Sequence, residues 1–513
     1  MSSHQVVSSG GHASSRVASS IFIAFTLGLL VFAPACGSSG TFVPVKGPFG
    51  TGSLKGFYTY TLYGLDTTGA FFSEAGVFTA DGNGKITSGT DDFNQNGTFA
   101  SNPINGTYSV LPDGSGLITF MLTNLAPPNN TFQFAINLVS STELYLAEND
   151  AFANGAGMAD SQVASAITAT PSGTFAFRVH AYQTLNGPVG TIGQVVSNGG
   201  VVQGSAEILR NGTLNAATLT GQFGAPDATG RGQFRYTDSV TNISTNYQYY
   251  IINSTTIRLL GTDGSVLSQG RLEGQSGAPF SAASLSGSYA FGSVGNLTPN
   301  DGGLSRTVGT FTASAGSVST GAFDAVVSGT VLANNAVESG SYSVNANGEV
   351  PLTLNPSGGA PVEEILWLVS PSRAFMLVND PTKVEDGTVD LVQSSSFSNS
   401  SLSQQSAIFM EGLVINSNYL TRVGTFIPNG NGGVTLNEVA NAFTPSLGAT
   451  LNAPSLSGSY TVGSNGRVTG TFNASPSPNI DFVMYLLAPN KGYILQNDTG
   501  VQVSGQVTLQ TSP

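Results

Sequence analysis

One set of landmarks returns four times along this chain of 513 residues. Each copy has a Gly-x-aromatic opening (degraded in the fourth copy), a second glycine–aromatic motif, one long apolar strand and a closing glutamine. The closing glutamines are Gln162, Gln275, Gln393 and Gln510. The landmarks recur at a period of about 115 residues, and a fixed period is the signature of tandem structural units. The sequence therefore predicts four domains, at residues 54–163, 172–275, 284–393 and 402–510.

Residues 76–97 show how a unit is built, because apolar residues alternate with small or polar ones around an Asp-Gly-Asn-Gly turn. Period two predicts strands, and Gly and Asn supply the left-handed backbone positions of a hairpin turn. Each unit holds about eight such strands and no convincing helical stretch, which is typical of barrels and sandwiches. We predict an all-β fold of four tandem antiparallel domains of about 110 residues, each an up-and-down barrel. The alternative is an immunoglobulin-like β-sandwich.

The long strand of the later units is apolar on both faces, at residues 247–252, 365–369 and 482–487. A strand of this type needs a second surface to bury against. The linkers between units are short, so neighbouring domains are expected to touch. One interpretation is that these strands form the contacts between domains. The other is that their outward residues lie beneath loops of their own domain.

The N-terminus has the pattern of an export signal. An apolar run at residues 21–32 is too short to span a bilayer comfortably, and Ala33-Pro34-Ala35 precedes Cys36, the one cysteine of the chain. We interpret residues 1–35 as a signal peptide and residues 36–53 as a lipidated cysteine and tether. The alternative is ordinary signal-peptidase cleavage after Ala35 without lipid.

The position of Cys36 resembles the lipobox of bacterial lipoproteins, although Ala33 stands where that family usually has Leu. The resemblance implies acyl chains on Cys36 that anchor the protein in a membrane. Gly37 after the cysteine implies, by the same resemblance, the outer membrane of a two-membrane cell. The expected location is the outer membrane or cell surface, and the alternative is a soluble secreted or periplasmic protein.

Two further resemblances concern the repeats. The Gly-x-Tyr opening followed by about eight strands is similar to the calycin pattern of lipocalins and avidins, without the Trp of those families. The array as a whole resembles uncharacterised bacterial surface lipoproteins with tandem glycine-rich β repeats, and residues 76–86 give the best match. These resemblances imply export and a β fold, and they bring no known activity.

The charge balance limits the partners. The net charge is −13, and removal of residues 1–35, which hold Arg16 and no acid, leaves 15 − 29 = −14. Such a chain neutralises few phosphates, so nucleic-acid binding is not expected. The expected partners are the membrane, through Cys36, and a glycan or protein at the cell surface.

Asp81 and Asn83 in the first hairpin turn, with Asp91 and Asp92 on the following strand, are the calcium candidates, because hard oxygen ligands suit that ion. The EF-hand template is not met, since Lys85 stands where Asp or Asn is required. Equivalent turns in later units lack the carboxylate. A turn-forming role explains every repeat, whereas a calcium site explains only one.

No catalytic constellation is recognised. His180 is the one histidine outside the signal segment, and no elbow motif supplies a serine for a Ser-His-Asp triad. Glu363 and Glu364 are neighbours on a strand and point to opposite faces, so they cannot form a glycosidase pair unaided. With one His and no spare Cys, no metal or other cofactor is expected.

Three hypotheses about function follow. The leading one is a cell-envelope lipoprotein that acts as a non-catalytic structural or adhesin-like binding module. The second is a carrier that holds a small apolar ligand inside one or more barrels, which requires interiors that are not filled by Phe and Leu. The third and least favoured is a carboxylate-dependent hydrolase, which requires two converging carboxylates in a cleft.

Overall fold

The computed structural model describes residues 47–513 except residues 67, 96–97, 128–129, 151–152, 184–186, 265, 298–302, 415–417, 445–447, 453–454 and 475–477. The regular structure in this part of the chain is β-strand, with short 3-10 turns at Thr51–Ser53, Ala282–Ser284 and Asn399–Ser401. Within the same residues no helix has the length and apolar character needed to cross a membrane. The predicted all-β fold is confirmed.

The strands form four antiparallel barrels that follow one another along the chain. The first consists of β1 (Lys55–Asp66), β2 (Phe71–Asp81), β3 (Lys85–Gln95), β4 (Thr98–Val110), β5 (Ser115–Leu122), β6 (Thr131–Leu138), β7 (Glu143–Glu148) and β8 (Ala153–Ser161). The second consists of β9 (Gly173–Gln183), β10 (Gly187–Asn198), β11 (Val201–Arg210), β12 (Thr213–Phe223), β13 (Arg231–Asp238), β14 (Ser244–Asn253), β15 (Thr256–Gly261) and β16 (Val266–Gly274).

The third barrel consists of β17 (Gly287–Leu297), β18 (Leu304–Ser314), β19 (Ser317–Val327), β20 (Thr330–Tyr342), β21 (Glu349–Pro356), β22 (Val362–Ser370), β23 (Arg373–Asp380) and β24 (Lys383–Leu391). The fourth consists of β25 (Ser406–Val414), β26 (Asn418–Pro428), β27 (Gly433–Thr444), β28 (Gly448–Asn452), β29 (Ser455–Val462), β30 (Arg467–Asn473), β31 (Ile480–Ala488), β32 (Lys491–Gln496) and β33 (Val501–Leu509). β28 and β29 both pair with β27 and together take the place of one fourth strand.

Each barrel is an up-and-down meander whose first strand also pairs with its last. In the first barrel β1 pairs with both β2 and β8. Closure of this kind leaves no exposed sheet edge, which protects strands that carry few charges. The barrel prediction is confirmed over the sandwich alternative.

Every barrel has a plug end, where the chain enters, and an opposite mouth end, where the first hairpin lies. The entering segment places an apolar residue in the barrel core near the plug end: Phe49, Ile167, Phe280 and Phe397. The Gly-x-Tyr motif in the middle of three units secures this segment, because the hydroxyl of Tyr108 donates to the Leu54 carbonyl at 2.6 Å. Tyr342 and Tyr460 make the same bond to Leu285 and Leu402.

The four barrels pack against one another in a ring. In each contact the first strands of one barrel meet the sixth and seventh strands of the next, as in the cluster of Ala75 and Val77 with Tyr250 and Leu260. The equivalent clusters join the second barrel to the third around Trp367 and the third to the fourth around Tyr485. The doubly apolar strands therefore do form contacts between domains.

A fourth cluster joins the last barrel back to the first. Ala407 and Val423 of the fourth barrel pack on Ala135, Tyr145 and Ala147 of the first. The contact uses the same faces as the other three, so it is heterologous, and four heterologous contacts close a ring when the rotation between units allows it. The repeat pattern predicts contact between neighbours only, so this closure is a finding of the structure.

The side chains of three closing glutamines bridge neighbouring barrels at the plug end of the ring. Nε2 of Gln162 donates to the Ile251 carbonyl of the next barrel at 2.7 Å, and Gln275 donates to Leu368 in the same way. Gln510, at the end of the fourth barrel, donates to the Leu138 carbonyl of the first barrel at 2.6 Å. The same kind of glutamine–carbonyl bond therefore connects consecutive barrels and also connects the fourth barrel to the first, which no linker joins.

The mouths of all four barrels face the same side of the ring. Phe71 and Tyr182, at the mouth ends of the first and second barrels, have ring centroids 5.9 Å apart. Arg306 and Glu411, at the mouth ends of the third and fourth, form an ion pair at 3.3 Å. Tyr63 of the first barrel lies close enough to Tyr182, Arg306 and Glu411 for these groups to influence the pKa of its hydroxyl. Side chains from the four mouths therefore meet near the ring axis.

Two of the four contacts share one buried group, an aspartate that is bound by an arginine and a tyrosine of the next barrel. Asp92 of the first barrel accepts two bonds from the Arg231 guanidinium of the second, at 2.6 and 2.7 Å, and one from the Tyr250 hydroxyl. Between the third and fourth barrels, Arg467 and Tyr485 bind Asp324 in the same way. A bidentate pair with a third donor satisfies the buried charge and fixes the two barrels in register.

We predict that Gln510→Ala weakens the seam between the fourth and first barrels. Loss of the amide leaves the Leu138 and Asp113 carbonyls without this donor, which typically costs about 1–3 kcal/mol for buried groups. The expected result is a lower denaturation midpoint and faster hydrogen exchange in β6, β7 and β26. Gln203→Ala, at an exposed position of β11, is the control. Unchanged exchange at the seam would contradict the role given to Gln510.

Candidate functional site in the third barrel

Glu364 lies inside the third barrel near its mouth. It precedes Leu366 and Leu368 on the inward face of β22, and its partner across β21 is the core residue Leu352. Residues that pair across antiparallel strands share a face, so the carboxylate points into the barrel. Its neighbour Glu363 is exposed on the outer wall. The prediction that the two side chains point to opposite faces is confirmed.

The equivalent position of the other barrels holds an aromatic ring. Phe134, Tyr247 and Phe482 occupy it, and each belongs to its own barrel core. Burial of a carboxyl where the same fold elsewhere buries a ring is unfavourable unless the group is partnered or neutral. The third barrel therefore departs from its sisters at a position where packing alone favours a ring.

Glu385 is the second buried carboxylate of this interior. It lies on β24 opposite Val378 of the barrel core and is 1% exposed by side chain. Ser305 Oγ donates to its Oε2 at 2.8 Å, and the Ser293 hydroxyl donates to its Oε1. Lys383 Nζ, at the mouth, lies 2.5 Å from Oε2. Glu385 is thus held from three directions.

The serine positions are also specific to this barrel. The residues that match Ser305 are Phe72, Val189 and Leu420, and those that match Ser293 are Leu62, Val179 and Met410. Four inward positions near one mouth, those of Ser293, Ser305, Glu364 and Glu385, are therefore polar together. We call Ser293, Ser305, Glu364, Lys383 and Glu385 the third-barrel cluster.

The two carboxyl groups of the cluster have opposite protonation. Burial, and then the neighbouring Glu385, raises the pKa of Glu364 to about 8. Burial would also raise the pKa of Glu385, but Lys383 and the Ser293 hydroxyl lower it to about 2. Near neutral pH the cluster therefore holds one ionised carboxylate paired with an ammonium and one neutral carboxylic acid.

The neutral acid is the chemically available group. Glu364 is 4% exposed, and no described residue hydrogen-bonds to its Oε2. Glu385, by contrast, already accepts bonds from Ser293, Ser305 and Lys383. A carboxylic acid kept neutral by burial can donate a hydrogen bond or a proton. The geometry gives Glu364 this capacity and leaves Glu385 as a fixed counter-charge.

The fourth barrel shows the contrasting arrangement. Its buried Glu438 faces Arg422 on the adjacent inward position, and the two form an ion pair inside the barrel. This pair satisfies a buried charge with a partner from the same barrel, which is the usual way to keep such a group. The fourth barrel therefore satisfies its buried carboxyl in a way that the third barrel does not use for Glu364.

The calcium candidates do not converge. Asp81 accepts bonds from the backbone amides of Asn83 and Lys85 in the exposed turn, and these amides lower the pKa of its carboxyl. Asp91 points into the first barrel and accepts a bond from Tyr60, whereas Asp92 lies in the contact with the second barrel. In the part of the chain that the structure describes, no group of three or more His, Cys, Asp or Glu side chains is placed to hold a metal.

His180 lies in the contact between the second and third barrels. Nδ1 is 2.5 Å from Asp386 Oδ2, and Nε2 is 3.0 Å from Asn296 Oδ1. Arg178 reaches the other oxygen of Asp386 at 3.1 Å. Both ring nitrogens thus face oxygens of the neighbouring barrel, and this arrangement presents no serine to the ring. Cys36, the predicted lipidation site, lies outside the described residues.

Sequence reasoning missed Glu385, Lys383 and the two serines. The available signal was the alignment of the long apolar strands, in which Glu364 stands where the other units have Phe or Tyr. Glu385 carries no such signal, because it follows a turn in a stretch with several charges. Its burial becomes visible only when the strand closes the barrel.

No family model matches the chain, and no curated protein matches it. Among solved structures, it is similar to kievitone hydratase from Nectria haematococca, with 9% identity and a TM-score of 0.16. That alignment covers 67% of this chain and 92% of the other. A likeness at this level carries no argument about fold or function.

We predict that Glu364→Gln removes a pH dependence of stability. The folded-state pKa of about 8 lies above the ordinary 4.5, so the folded state retains a proton that the unfolded chain has lost between these values. Stability must therefore fall as pH rises from about 4.5 to about 8. The variant should flatten this part of the profile of melting temperature against pH.

The exposed neighbour supplies the matched control, since Glu363→Gln changes the same charge on the same strand. Glu364→Phe, which restores the ring of the sister barrels, should raise stability at pH 8 by about 1–3 kcal/mol because a buried polar group is removed. A Glu364→Gln profile that coincides with the wild type would show that this carboxyl is not the titrating group.

Proposed function

We propose that the protein is an exported, lipid-anchored and non-catalytic module of the cell envelope that displays a rigid ring of four barrels for binding. The closure of the ring carries this proposal. Each barrel is fixed by contacts on two sides, and its mouth faces the same way as the other three. A rigid array of this type presents its outer walls and mouths to a partner without a cost of ordering.

The chain enters the ring at the plug end. The amide of Phe49 donates to the Pro112 carbonyl in the turn between β4 and β5. The residues 37–48 that separate Phe49 from Cys36 span at most about 45 Å when fully extended. An acyl anchor on Cys36 would therefore hold the plug end toward the membrane and direct the four mouths away from it.

The outer walls of two barrels carry shallow grooves in which hydroxyl groups lie among apolar atoms. One of about 330 Å³ on the first barrel is lined by Thr107, Thr119 and Met121. One of about 380 Å³ on the fourth barrel is lined by Ser459, Thr471 and Asp481, and Ser459 and Thr471 match Thr107 and Thr119 in register. Shallow grooves with few charges suit a neutral polar partner such as a surface glycan. We propose this chemistry for the partner.

The interior of the first barrel supports the binding module over the apolar carrier. In the first barrel, Phe120 lies 5.5 Å from both Tyr60 and Phe78, centroid to centroid, and 5.6 Å from Phe134. Rings packed at these distances are a filled core. For the hydrolase alternative, the third barrel does hold two carboxyl groups, but Glu385 is fully engaged by its neighbours and is not poised as a base or nucleophile.

Native mass spectrometry of the protein purified gently from its host's membranes tests the anchor. We expect a mature chain that begins at Cys36 and carries the added mass of acyl chains. Cys36→Ser should move the protein to the soluble fraction, because acyl chains provide the attachment. Ser38→Ala, two residues away, is the control and should stay in the membrane. A mature wild-type chain without acyl mass would overturn the anchoring proposal.

A further inference from the structure

The third-barrel cluster has the features of a binding site that a structural role does not explain. A ring at the position of Glu364 would fill the barrel, as Phe134, Tyr247 and Phe482 do in the other three. An ion pair within the barrel would satisfy the charge, as Arg422 does for Glu438. Neither solution is used here, and the carboxyl is 96% buried with an oxygen that no described residue engages.

We propose that the mouth of the third barrel binds a small neutral molecule through a carbonyl or hydroxyl oxygen, which accepts a hydrogen bond from the protonated carboxyl of Glu364. The proposal goes beyond the envelope function proposed above and does not depend on it.

The charges of the cluster select a neutral ligand. Lys383, 17% exposed by side chain, stands at the mouth and pairs with Glu385, so these two groups cancel each other. An approaching ammonium group would meet Lys383, and an anion would meet Glu385. A neutral molecule meets neither penalty, and buried charges without partners are costly.

The hydrogen bonds already made within the cluster favour a ligand that carries a hydrogen-bond acceptor. The hydroxyls of Ser293 and Ser305 already donate to Glu385. Glu364 keeps a proton that it can donate at neutral pH, because its pKa lies at about 8. A ligand that supplies an acceptor oxygen completes this donor, and a buried hydrogen bond of this kind gives specificity against analogues that lack the oxygen.

The surroundings select a compact, partly apolar molecule. Val378 lies across the strand pair from Glu364, and Leu352 and Leu366 continue the same inward face. This interior differs from those of the sister barrels by a carboxyl in place of a ring and by two serines in place of larger apolar side chains. We therefore expect a ligand of a few heavy atoms, with the oxygen toward Glu364 and apolar carbons toward these aliphatic side chains.

Saturation-transfer NMR on the full-length protein tests the proposal with a fixed set of probes. Acetone, cyclopentanone and cyclohexanone supply the acceptor in three sizes. Methylenecyclohexane has the shape of the last without the oxygen, and cyclohexylamine supplies a cation of similar size. We expect at least one ketone to bind and the hydrocarbon and the amine not to bind.

The dependence on pH identifies the donor. Above a pKa of about 8 Glu364 loses its proton, so ketone affinity should be about tenfold lower at pH 9 than at pH 6. Glu364→Gln keeps a neutral donor and should bind with no change between these pH values. Glu364→Phe should abolish binding while it keeps the fold, which circular dichroism and the melting temperature verify.

Glu207→Gln is the matched control. Burial and the nearby Glu349 raise the pKa of Glu207 to about 7, but this side chain lies on the outward face of β11 opposite Ile192 and away from the third-barrel interior. The control should leave ketone binding and its pH dependence unchanged. The proposal is wrong if no ketone binds, if Glu364→Phe binds as the wild type does, or if ketone affinity does not fall between pH 6 and pH 9.

Discussion

The contact between the early strands of one barrel and the late strands of the next is the interaction on which the rest of the structure depends. A closed barrel hides its own strand edges, yet the strands at residues 247–252, 365–369 and 482–487 keep apolar residues on the outside. These outer faces need a cover. The ring buries these outer faces by repeating one contact geometry four times. Each barrel covers the apolar face of one neighbour, and its own apolar face is covered by the other neighbour.

All four contacts share one packing geometry, and three kinds of polar group stabilise it. Asp92 and Asp324 each receive an arginine and a tyrosine from the next barrel. Between the second and third barrels the matching residues are Glu207, Glu349 and Trp367, and the register is held instead by Arg373 with Glu273 and by His180 with Asp386.

The seam between the fourth and first barrels relies on amides. Asn154 donates to the Tyr419 and Asn441 carbonyls at 2.6 and 2.7 Å, and Asn137 donates to Thr425 at 2.8 Å. Packing thus sets the shape of the ring, and the polar residues distinguish neighbouring contacts from one another. Distinct contacts favour one order of barrels around the ring.

Much of the fold could be predicted from the sequence, because a period of two and a period of one unit are both visible in a linear pattern. The closure of the ring could not be predicted, since nothing in the sequence around Gln510 indicates that its side chain contacts the first barrel. The calcium candidates illustrate a related limit. Asp91 and Asp92 are adjacent in sequence, but alternation along β3 sends one into a barrel and the other into a contact.

The third-barrel cluster could be predicted from the sequence only in part. The face of Glu364 followed from alternation, whereas the other members of the cluster come from β17, β18 and β24, which meet only when the barrel closes. Partners of this kind are set by register, and a single sequence does not give the register between distant strands.

One chain forms all four barrels of the ring, and this explains how a destabilising cluster can occur in one of them. In a ring of four identical chains, each substitution appears four times, and so does the cost of replacing a core ring by a carboxyl. Here the four barrels lie in one chain, so the cost of Glu364 falls once while Phe134, Tyr247 and Phe482 continue to pack the other three. Fusion of the repeats separates the barrels that stabilise the assembly from the one that is free to specialise.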